Sequence, residues 1–381
     1  MSSPTKVYFP SFELQICGEF YAPLEGSEPR NGAAIVVSHP MTGVKEQTAA
    51  DYARALSKEG FAVLTFDAGY QGESSGKPRG LEDPHQRVED NKAAVTYLTT
   101  LKDKVDQERI GVLGICASGG YTSYAAQSDN RIKALATVSA ACVGRMTRNG
   151  GLYEHNKESR TAIDAALEGA GKWRTTHANG SQDDAPPMFE TDLSKIPDEA
   201  DSFFKDAAQY YGTKRGHHER SDQRVPFSSY DLMVSYDSFN FQHLISPRPL
   251  LMIAGSEAQT HHFSKNAVAA AKDPKELVTI NGKNHFDLYD DLSETVPKLV
   301  EFFAEALLRY YLDKLVSPNH SRVMADDKIY LVASQDVGSG SCGISAAPAL
   351  KWTQIPALTE SPEERTYCKV FTVLTADLSK A

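Results

Sequence analysis

The stretch RIGVLGICASGGYTSYAAQ, residues 109–127, decides the fold. Its first part, Arg109 to Cys116, is a short apolar run that predicts a buried strand, and Ser118 to Gln127 predicts a helix. Small residues lie at the junction, where the chain turns sharply from one element into the other. Strands joined through helices run parallel in a sheet that is covered on both faces. The stretch therefore predicts a parallel sheet in an α/β protein.

The sequence on either side repeats this alternation of strand and helix. Before the stretch, Ala33 to Pro40 and Phe61 to Asp67 predict two buried strands, and a helical pattern from Ala49 to Leu56 separates them. Further strands are predicted at residues 7–23 (a strand pair), 132–140, 249–255 and 276–282, and further helices at 88–101, 264–272 and 294–315. The expected fold class is a mostly parallel, doubly wound α/β sheet.

Two segments interrupt or follow this pattern. Between residues 144 and 247 the sequence becomes polar and shows only short helical patterns, such as Glu199 to Tyr211. We interpret this segment as an inserted lid over a core formed by residues 1–143 and 248–315. Residues 316–381 carry two strand-like runs, KIYLVAS and CKVFTVLTA, and form a C-terminal extension without a predicted role.

Composition restricts the classes of function. Of 381 residues, 40 are Lys or Arg and 50 are Asp or Glu, and the resulting net charge of −10 repels nucleic acid and anionic lipid. The chain has no apolar run of roughly 18 residues and no apolar signal-peptide core, which favours a cytosolic, cytoplasmic protein. Five scattered cysteines without CxxC spacing, and two adjacent histidines (His217 and His218) without a third ligand, predict neither a disulfide framework nor a metal site. We expect no cofactor.

Cys116 is the candidate nucleophile. It would lie at the apex of a strand-to-helix turn, with the small residues Gly114 and Ser118 two positions before and after it, as a nucleophile elbow requires. The helix N-terminus favours the thiolate, which is the form that attacks. In the alternative register Ser118 is the nucleophile, flanked by Cys116 and Gly120. The other cysteines have no such setting, and we interpret them as structural.

A nucleophile also needs a base and a group that orients the base. His285, in the segment NHFDLYD directly after the last predicted strand, is the candidate base, because a loop there can reach the elbow. Glu257 is the candidate acid, because it is the only carboxylate in the loop after residues 249–255. Three other acids are weaker candidates, because they suit loop bracing or lie in the insertion: Asp237, Asp287 and Asp290.

Acyl transfer further requires backbone N–H groups that stabilise an oxyanion. Ala117, directly after Cys116, would supply one of them. The second would come from the loop His39 to Gly43, where Met41 is the expected donor and Thr42 is the alternative. The acids of the glycine-rich loop Asp67 to Ser74 are expected to brace that loop beside the site rather than to react.

Six segments together resemble one group of enzymes. Within residues 7–315, HPMTGVKEQTA, FDAGYQGESSGKPR, EDPHQRVED, GICASGGY, SPRPLLMIAGSEA and NHFDLYD resemble motifs of α/β-hydrolases related to dienelactone hydrolase, and more narrowly of the fungal polyketide transferase and thiohydrolase family. The resemblance implies an α/β-hydrolase fold, a cysteine nucleophile at Cys116 and a base at His285. Related sequences often carry two glycines where Met41 and Thr42 stand, and an Asp where Gln259 stands.

The resemblance also implies a substrate class, polyketide acyl thioesters on a synthase carrier domain. The expected function is hydrolysis or transfer through an acyl-Cys116 intermediate. Two alternatives stay open: an esterase or lactonase that acts on free small esters, and a non-hydrolytic protein that binds a polyketide and assists its cyclisation. The carrier domain of a polyketide synthase is the expected partner, and the large insertion offers a surface for a homodimer.

Overall fold

The computed structural model describes residues 3–181, 184–315, 320–325, 328–335, 351–354 and 370–377, with side chains described as far as residue 308. The chain divides into two compact units, Met1–Leu308 and Arg309–Ala381. The first unit contains both the predicted core strands and the insertion between them. The candidate site lies in this first unit.

An eight-stranded sheet forms the centre of the first unit. Its strands are β1 (Thr5–Ser11), β2 (Leu14–Tyr21), β3 (Ala34–Ser38), β4 (Ala62–Phe66), β5 (Ile110–Ile115), β6 (Ile132–Val138), β7 (Leu250–Gly255) and β8 (Lys275–Ile280). They lie in the order β1-β2-β4-β3-β5-β6-β7-β8. Neighbours from β4 to β8 run parallel, whereas β2 pairs antiparallel with both β1 and β4. The predicted fold class, a mostly parallel α/β sheet, is confirmed.

Helices cover both faces of this sheet. They are α1 (Thr48–Lys58), α2 (Pro84–Thr100), α3 (Ala117–Ser128), α4 (Val143–Asn149), α5 (Arg160–Ala178), α6 (Ser202–Tyr211), α7 (Ser228–Val234), α8 (His261–Ala270), α9 (Asp287–Asp290) and α10 (Thr295–Leu315). Buried side chains of α1 and α10 belong to one hydrophobic cluster, and those of α2, α3 and α8 belong to another. No helix in the described part of the chain combines the length and the apolar character needed to cross a membrane.

The alternation of side chains along the strands explains why both faces need a cover. In β3, Ala34 and Val36 belong to one cluster, and Ile35 and Val37 belong to the other. All four residues are buried. A strand that is buried on both faces is apolar at successive positions, which is why these strands appear in the sequence as continuous apolar runs.

The loops that carry the predicted site residues meet at one edge of the sheet. Parallel strands place their carboxyl ends on the same side, and ligands of open α/β sheets bind there. The loops after β3, β5, β7 and β8 lie at this edge, and they carry Met41, Cys116, Glu257 and His285 respectively. The topology thus gathers candidates that are far apart in the sequence.

Between β6 and β7 the chain forms four helices, α4 to α7, instead of further strands. The predicted helical pattern at 199–211 corresponds to α6. Phe203 and Tyr211 of this helix belong to the same hydrophobic cluster as Phe286 and Tyr289, which follow β8. The inserted segment therefore packs on the loop that carries His285.

The described part of the second unit consists of the last residues of α10 and a four-stranded antiparallel sheet. Its strands are β9 (His320–Ala325), β10 (Lys328–Gln335), β11 (Lys351–Gln354) and β12 (Val370–Asp377), in the order β11-β12-β10-β9. β10 and β12 correspond to the two strand-like runs predicted from the sequence. Cys342 and Cys368, which we interpreted as structural, lie outside the described residues.

Candidate active site

Cys116 occupies a strained turn between β5 and α3. Its backbone has φ 58° and ψ −123°, a conformation that residues with a side chain rarely adopt. Gly114 permits this turn, because a Cβ atom there would lie 2.2 Å from Thr122 Oγ1 and 2.3 Å from the Ser118 carbonyl oxygen. The helix can approach the strand this closely only where position 114 lacks a side chain. This is the geometry of a nucleophile elbow.

Ser118, the alternative nucleophile, is completely buried. Its hydroxyl donates to the His39 carbonyl oxygen at 2.5 Å and accepts from the Ser38 hydroxyl at 3.0 Å. The Arg87 guanidinium donates a further hydrogen bond at 3.3 Å. These bonds join α3 to the end of β3, so Ser118 supports the turn, and Cys116 is the residue at its apex.

The Cys116 thiol is half-buried and has two hydrogen-bond donors beside it. These are the Tyr289 hydroxyl and the Ala117 N–H, and both act on the pKa of the thiol. Burial raises the pKa of the thiol, and these two donors act in the opposite direction together with the charge of Arg87. Because burial dominates, the resting protein holds Cys116 as a neutral thiol. A base must remove its proton before the sulfur can attack.

His285 lies in the loop after β8 and is completely buried. Its Nδ1 lies 2.6 Å from Thr260 Oγ1, and its Nε2 lies 3.0 Å from the Tyr289 hydroxyl oxygen. The rings of Phe203 and Phe286 pack against the imidazole at centroid distances of 5.2 and 4.9 Å. Burial lowers the pKa of His285 to about 3, so the ring is neutral at pH 7 and can accept a proton.

The structure does not bring the predicted acid, Glu257, to His285. Glu257 is exposed, and its carboxylate accepts a hydrogen bond from the Ser256 hydroxyl at 2.9 Å. Thr260 ends the same loop, is buried, and reaches Nδ1 instead. The reason is local: α8 begins directly after Thr260, and this start of the helix turns residue 260 inward while residue 257 stays at the surface.

The three weaker acid candidates also engage groups other than His285. Asp237 pairs with Arg145 and Arg148, Asp290 pairs with Arg215, and Asp287 accepts from the Asn284 N–H. Asp287 and Asp290 therefore brace the loop that carries His285, as their positions in the sequence suggested. The group beside Nδ1 is a hydroxyl, which orients the ring but carries no compensating negative charge.

The two predicted oxyanion donors lie in loops at the same edge of the sheet. Ala117 is the first residue of α3, where a helix leaves its N–H groups without helical acceptors, and its N–H acts on the pKa of the Cys116 thiol. Met41 is buried in the loop after β3 and precedes Thr42, whose φ is 63°. The Thr42 hydroxyl donates to Gln223 of the insertion at 2.5 Å, which fixes this loop.

The acids of the loop from Asp67 to Ser74 surround a buried lysine. Lys45 Nζ lies 2.8 Å from Asp67 Oδ2 and 2.7 Å from Glu73 Oε2. Among the described residues, Cys17, Asp67 and Glu73 are close enough to one another to hold a metal ion, but the ammonium group of Lys45 already binds both carboxylates. These acids therefore brace the loop.

Tyr289 is the site residue that sequence reasoning missed. Its hydroxyl oxygen lies 3.0 Å from His285 Nε2, and the hydroxyl acts on the pKa of the Cys116 thiol and on that of Tyr211 from α6. A signal was present in the segment NHFDLYD, because Tyr289 follows His285 by four residues, the spacing that one helical turn brings together. For Thr260 the sequence contains no comparable spacing that indicates a contact with His285.

Comparison with known proteins places this geometry in a family. Residues 21–140 match the family described as "DLH: Dienelactone hydrolase family". The chain is 37% identical to "Uncharacterized protein YcjY" of Escherichia coli (strain K12) over 298 residues, which cover 77% of this chain and 95% of that protein. It is 34% identical to "Uncharacterized protein PA2218" of Pseudomonas aeruginosa over 78% of each chain.

Solved structures of two relatives share the fold. The crystal structure of PA2218 matches with a TM-score of 0.72 and 32% identity, and it covers 80% of this chain and 93% of that chain. "Polyketide transferase grgF" of Penicillium sp. is 26% identical over 72% of this chain and 88% of that protein. The GrgF crystal structure matches with a TM-score of 0.66 and 22% identity over 81% of this chain and all of the other. The chain belongs to the dienelactone hydrolase family of α/β-hydrolases.

Proposed function

We propose that the protein is a cysteine-dependent acyl thioester hydrolase or acyltransferase, which removes a polyketide chain from the carrier domain of a synthase. The observation that carries the proposal is the position of Cys116 at the apex of the elbow and at the N-terminus of α3, with the Ala117 N–H at its sulfur. Membership of a hydrolase family supports acyl chemistry. The polyketide transferase of Penicillium among the relatives supports a polyketide as the acyl group.

A thioester suits a cysteine nucleophile, because exchange of one thioester for another is nearly isoenergetic. In the first step the Cys116 sulfur bonds to the acyl carbon, and the N–H groups of Ala117 and Met41 stabilise the charge that develops on the carbonyl oxygen. The bond between that carbon and the carrier sulfur then breaks. His285 takes up the proton of Cys116 and returns it to the departing carrier thiol.

In the second step an acceptor attacks the acyl-Cys116 intermediate. His285 removes the proton of a water, alcohol or amine as the acceptor oxygen or nitrogen bonds to the acyl carbon, and the proton goes to the Cys116 sulfur as it leaves. His285 is completely buried, with Phe203 and Phe286 packed on its ring. Such a site restricts bulk water, which favours transfer to a bound acceptor.

The insertion contributes apolar surface of the kind that an acyl chain needs. Met146 and Met188, both within residues 144–247, are half-buried and pack on the hydrophobic core, as Cys116 does. Methionine side chains are flexible and adapt to apolar partners of different shapes. A lid that carries them suits a long and variable acyl group, which supports a polyketide chain over a small ester.

Mass spectrometry of the intact protein, incubated with an acyl thioester of pantetheine, tests this proposal. We expect the mass to rise by that of the acyl group, peptide mapping to place the adduct on Cys116, and Cys116→Ala to abolish it. Ser118→Ala is the control, because it removes the neighbouring hydroxyl of the alternative register and should retain the adduct. An adduct that persists in Cys116→Ala and disappears in Ser118→Ala would show that the nucleophile is Ser118.

The second candidate is an esterase or lactonase for free small esters, which the match to the dienelactone hydrolase family favours. Turnover of the pantetheine thioester and of a free lactone, compared in the same protein, separates the two activities. Faster, Cys116-dependent turnover of the lactone would make the free ester the substrate. If neither compound is turned over and no adduct forms, both enzymatic proposals fail. The remaining candidate is then a polyketide-binding protein without hydrolytic activity.

A further inference from the structure

The Tyr289 hydroxyl lies between the two groups that must exchange a proton. It acts on the pKa of the Cys116 thiol on one side, and its oxygen lies 3.0 Å from His285 Nε2 on the other. Tyr289 is completely buried, so its hydroxyl is not simply solvated. In the structure the thiol and the imidazole are therefore connected through a tyrosine.

We propose that Tyr289 is a catalytic residue that passes the proton of Cys116 to His285. The inference rests on the function proposed above and adds the path of the proton. As the sulfur bonds to the acyl carbon, its proton moves to the Tyr289 oxygen, while the proton of the Tyr289 hydroxyl moves to Nε2. One S–H and one O–H bond break, and one O–H and one N–H bond form. Tyr289 is left unchanged, and His285 becomes an imidazolium.

Thr260 sets the direction of this transfer. Nε2 can accept a proton only when the ring carries its own proton on Nδ1, and in that tautomer Nδ1–H donates to the Thr260 oxygen, which lies 2.6 Å away. Tyr289 then donates to Nε2 and accepts from the thiol. The same path in reverse delivers the proton to the departing carrier sulfur.

A carboxylate near Cys116 is already engaged and does not replace His285 as the acceptor. Glu82 acts on the thiol through its charge. Its Oε1 accepts hydrogen bonds from the Tyr121 hydroxyl at 2.8 Å and lies 3.1 Å from Arg87 Nε. Arg87 also acts on Cys116, with the opposite sign. These two charges therefore form an internal pair beside the elbow.

The tyrosines of α6 complete the surroundings of the path. Tyr210 and Tyr211 both act on the pKa of Tyr289, and Tyr289 and Thr42 both act on the pKa of Tyr211. Burial raises the pKa of Tyr211 and of Tyr289 well above the ordinary value, so both hydroxyls stay protonated at neutral pH. A tyrosine that stays protonated can hand on a proton only while it receives another, as the path requires.

The test compares Tyr289→Phe, His285→Gln and the double variant. The readout is alkylation of Cys116 by iodoacetamide, followed by mass spectrometry between pH 5 and 10, because it needs no substrate. We expect each single variant to slow alkylation at pH 7 by roughly tenfold or more and to move its midpoint to higher pH. We expect alkylation of the double variant to be no slower than alkylation of the slower single variant, because the effects of residues that act in series do not add.

Tyr52→Phe is the matched control. Tyr52 is as buried as Tyr289, and its hydroxyl donates to the Leu288 carbonyl oxygen at 2.7 Å, so the variant loses a comparable buried hydrogen bond in the same region. Its alkylation midpoint should equal that of the wild type. If Tyr289→Phe also keeps the wild-type midpoint while His285→Gln shifts it, the histidine acts without the tyrosine and the proposal is overturned.

A second measurement uses the wild-type protein and does not depend on the folding of any variant. Acylation by the pantetheine thioester is timed in mixtures of H2O and D2O. Two protons that move in one step give a curved dependence of the rate on the deuterium fraction, whereas a straight line means one proton and overturns the proposal. If the wild type takes up no acyl group at all, the proposed function fails, and the alkylation profiles still decide the role of Tyr289.

Discussion

At the scale of single residues, the unusual feature is a buried histidine that has a hydroxyl beside Nδ1. The Thr260 oxygen orients the ring, but a neutral oxygen stabilises an imidazolium less than a carboxylate does. Together with complete burial, this explains why the pKa of His285 is only about 3. The reactivity of such a base depends on how well its hydrogen bonds position it.

We expect Thr260→Val to slow the formation of acyl-Cys116 by on the order of tenfold to a hundredfold, because a ring without a partner at Nδ1 can carry its proton on Nε2 and then cannot accept one from Tyr289. Rapid quenching followed by mass spectrometry measures the rate. Thr65→Val is the control: Thr65 is equally buried, and its hydroxyl has no hydrogen-bond partner among the described residues, so the rate should not change. Equal rates in Thr260→Val and the wild type would exclude the orienting role.

The sequence was sufficient to predict where the candidate residues lie when their positions depend on local pattern, whereas their catalytic roles stay predictions. Cys116 follows from a strand, a tight turn and a helix in succession, and His285 from its place directly after the last strand. The role of Glu257 as the acid stays a prediction. In the structure the neighbour of Nδ1 is Thr260, because which side chain of a loop turns inward depends on the residue at which the next helix begins. The spacing of Tyr289 from His285 was present in the sequence, but its position beside Nε2 is shown only by the fold.

At the scale of elements, the junction of β5 and α3 determines the geometry of the site. The first turn of α3 lies so close to the end of β5 that Gly114 has backbone and hydroxyl oxygens within van der Waals distance of its missing Cβ. The apolar runs in the sequence were sufficient to predict every strand of the eight-stranded sheet. The arrangement of the insertion was not predictable in the same way, because its helices α4 to α7 are positioned by long-range contacts, such as that of Phe203 with His285.

Gly114→Ala should destabilise the protein by roughly 1–3 kcal/mol, since the added methyl group meets Thr122 Oγ1 and a backbone oxygen that cannot move without shifting the helix. Gly171→Ala, in the exposed middle of α5, meets no atom within 4 Å and should stabilise by about 0.5–1 kcal/mol. Urea unfolding of both variants measures the free energies. A Gly114→Ala variant as stable as the wild type would mean that the strand and helix are less tightly joined than the structure shows.

At the scale of the whole molecule, the first unit buries titratable groups of both kinds. Burial lowers the pKa of His39 and His285, and it raises the pKa of Asp67, Glu82 and Asp90. The histidines favour unfolding as the pH falls, because they bind protons more readily in the unfolded chain. The carboxylates act in the opposite direction, because their raised pKa makes the folded chain bind protons more readily. A variant of one residue is needed to separate these contributions.

We expect the free energy of unfolding of the wild type to decrease relative to that of His285→Gln as the pH is lowered from 6.5 toward 3. The imidazole binds a proton near pH 6.5 in the unfolded chain and only near pH 3 in the folded one, so in this interval the unfolded chain binds more protons and stability is lost. The relative slope is about 1.4 kcal/mol per pH unit, and it vanishes above pH 7, where the histidine is neutral in both states. Urea unfolding of both proteins at pH 7, 6, 5 and 4 measures this slope. The contributions of the other buried groups cancel, because both proteins contain them. Parallel profiles would show that His285 binds its proton at the same pH in the folded and the unfolded chain, which would contradict the lowered pKa of the buried ring.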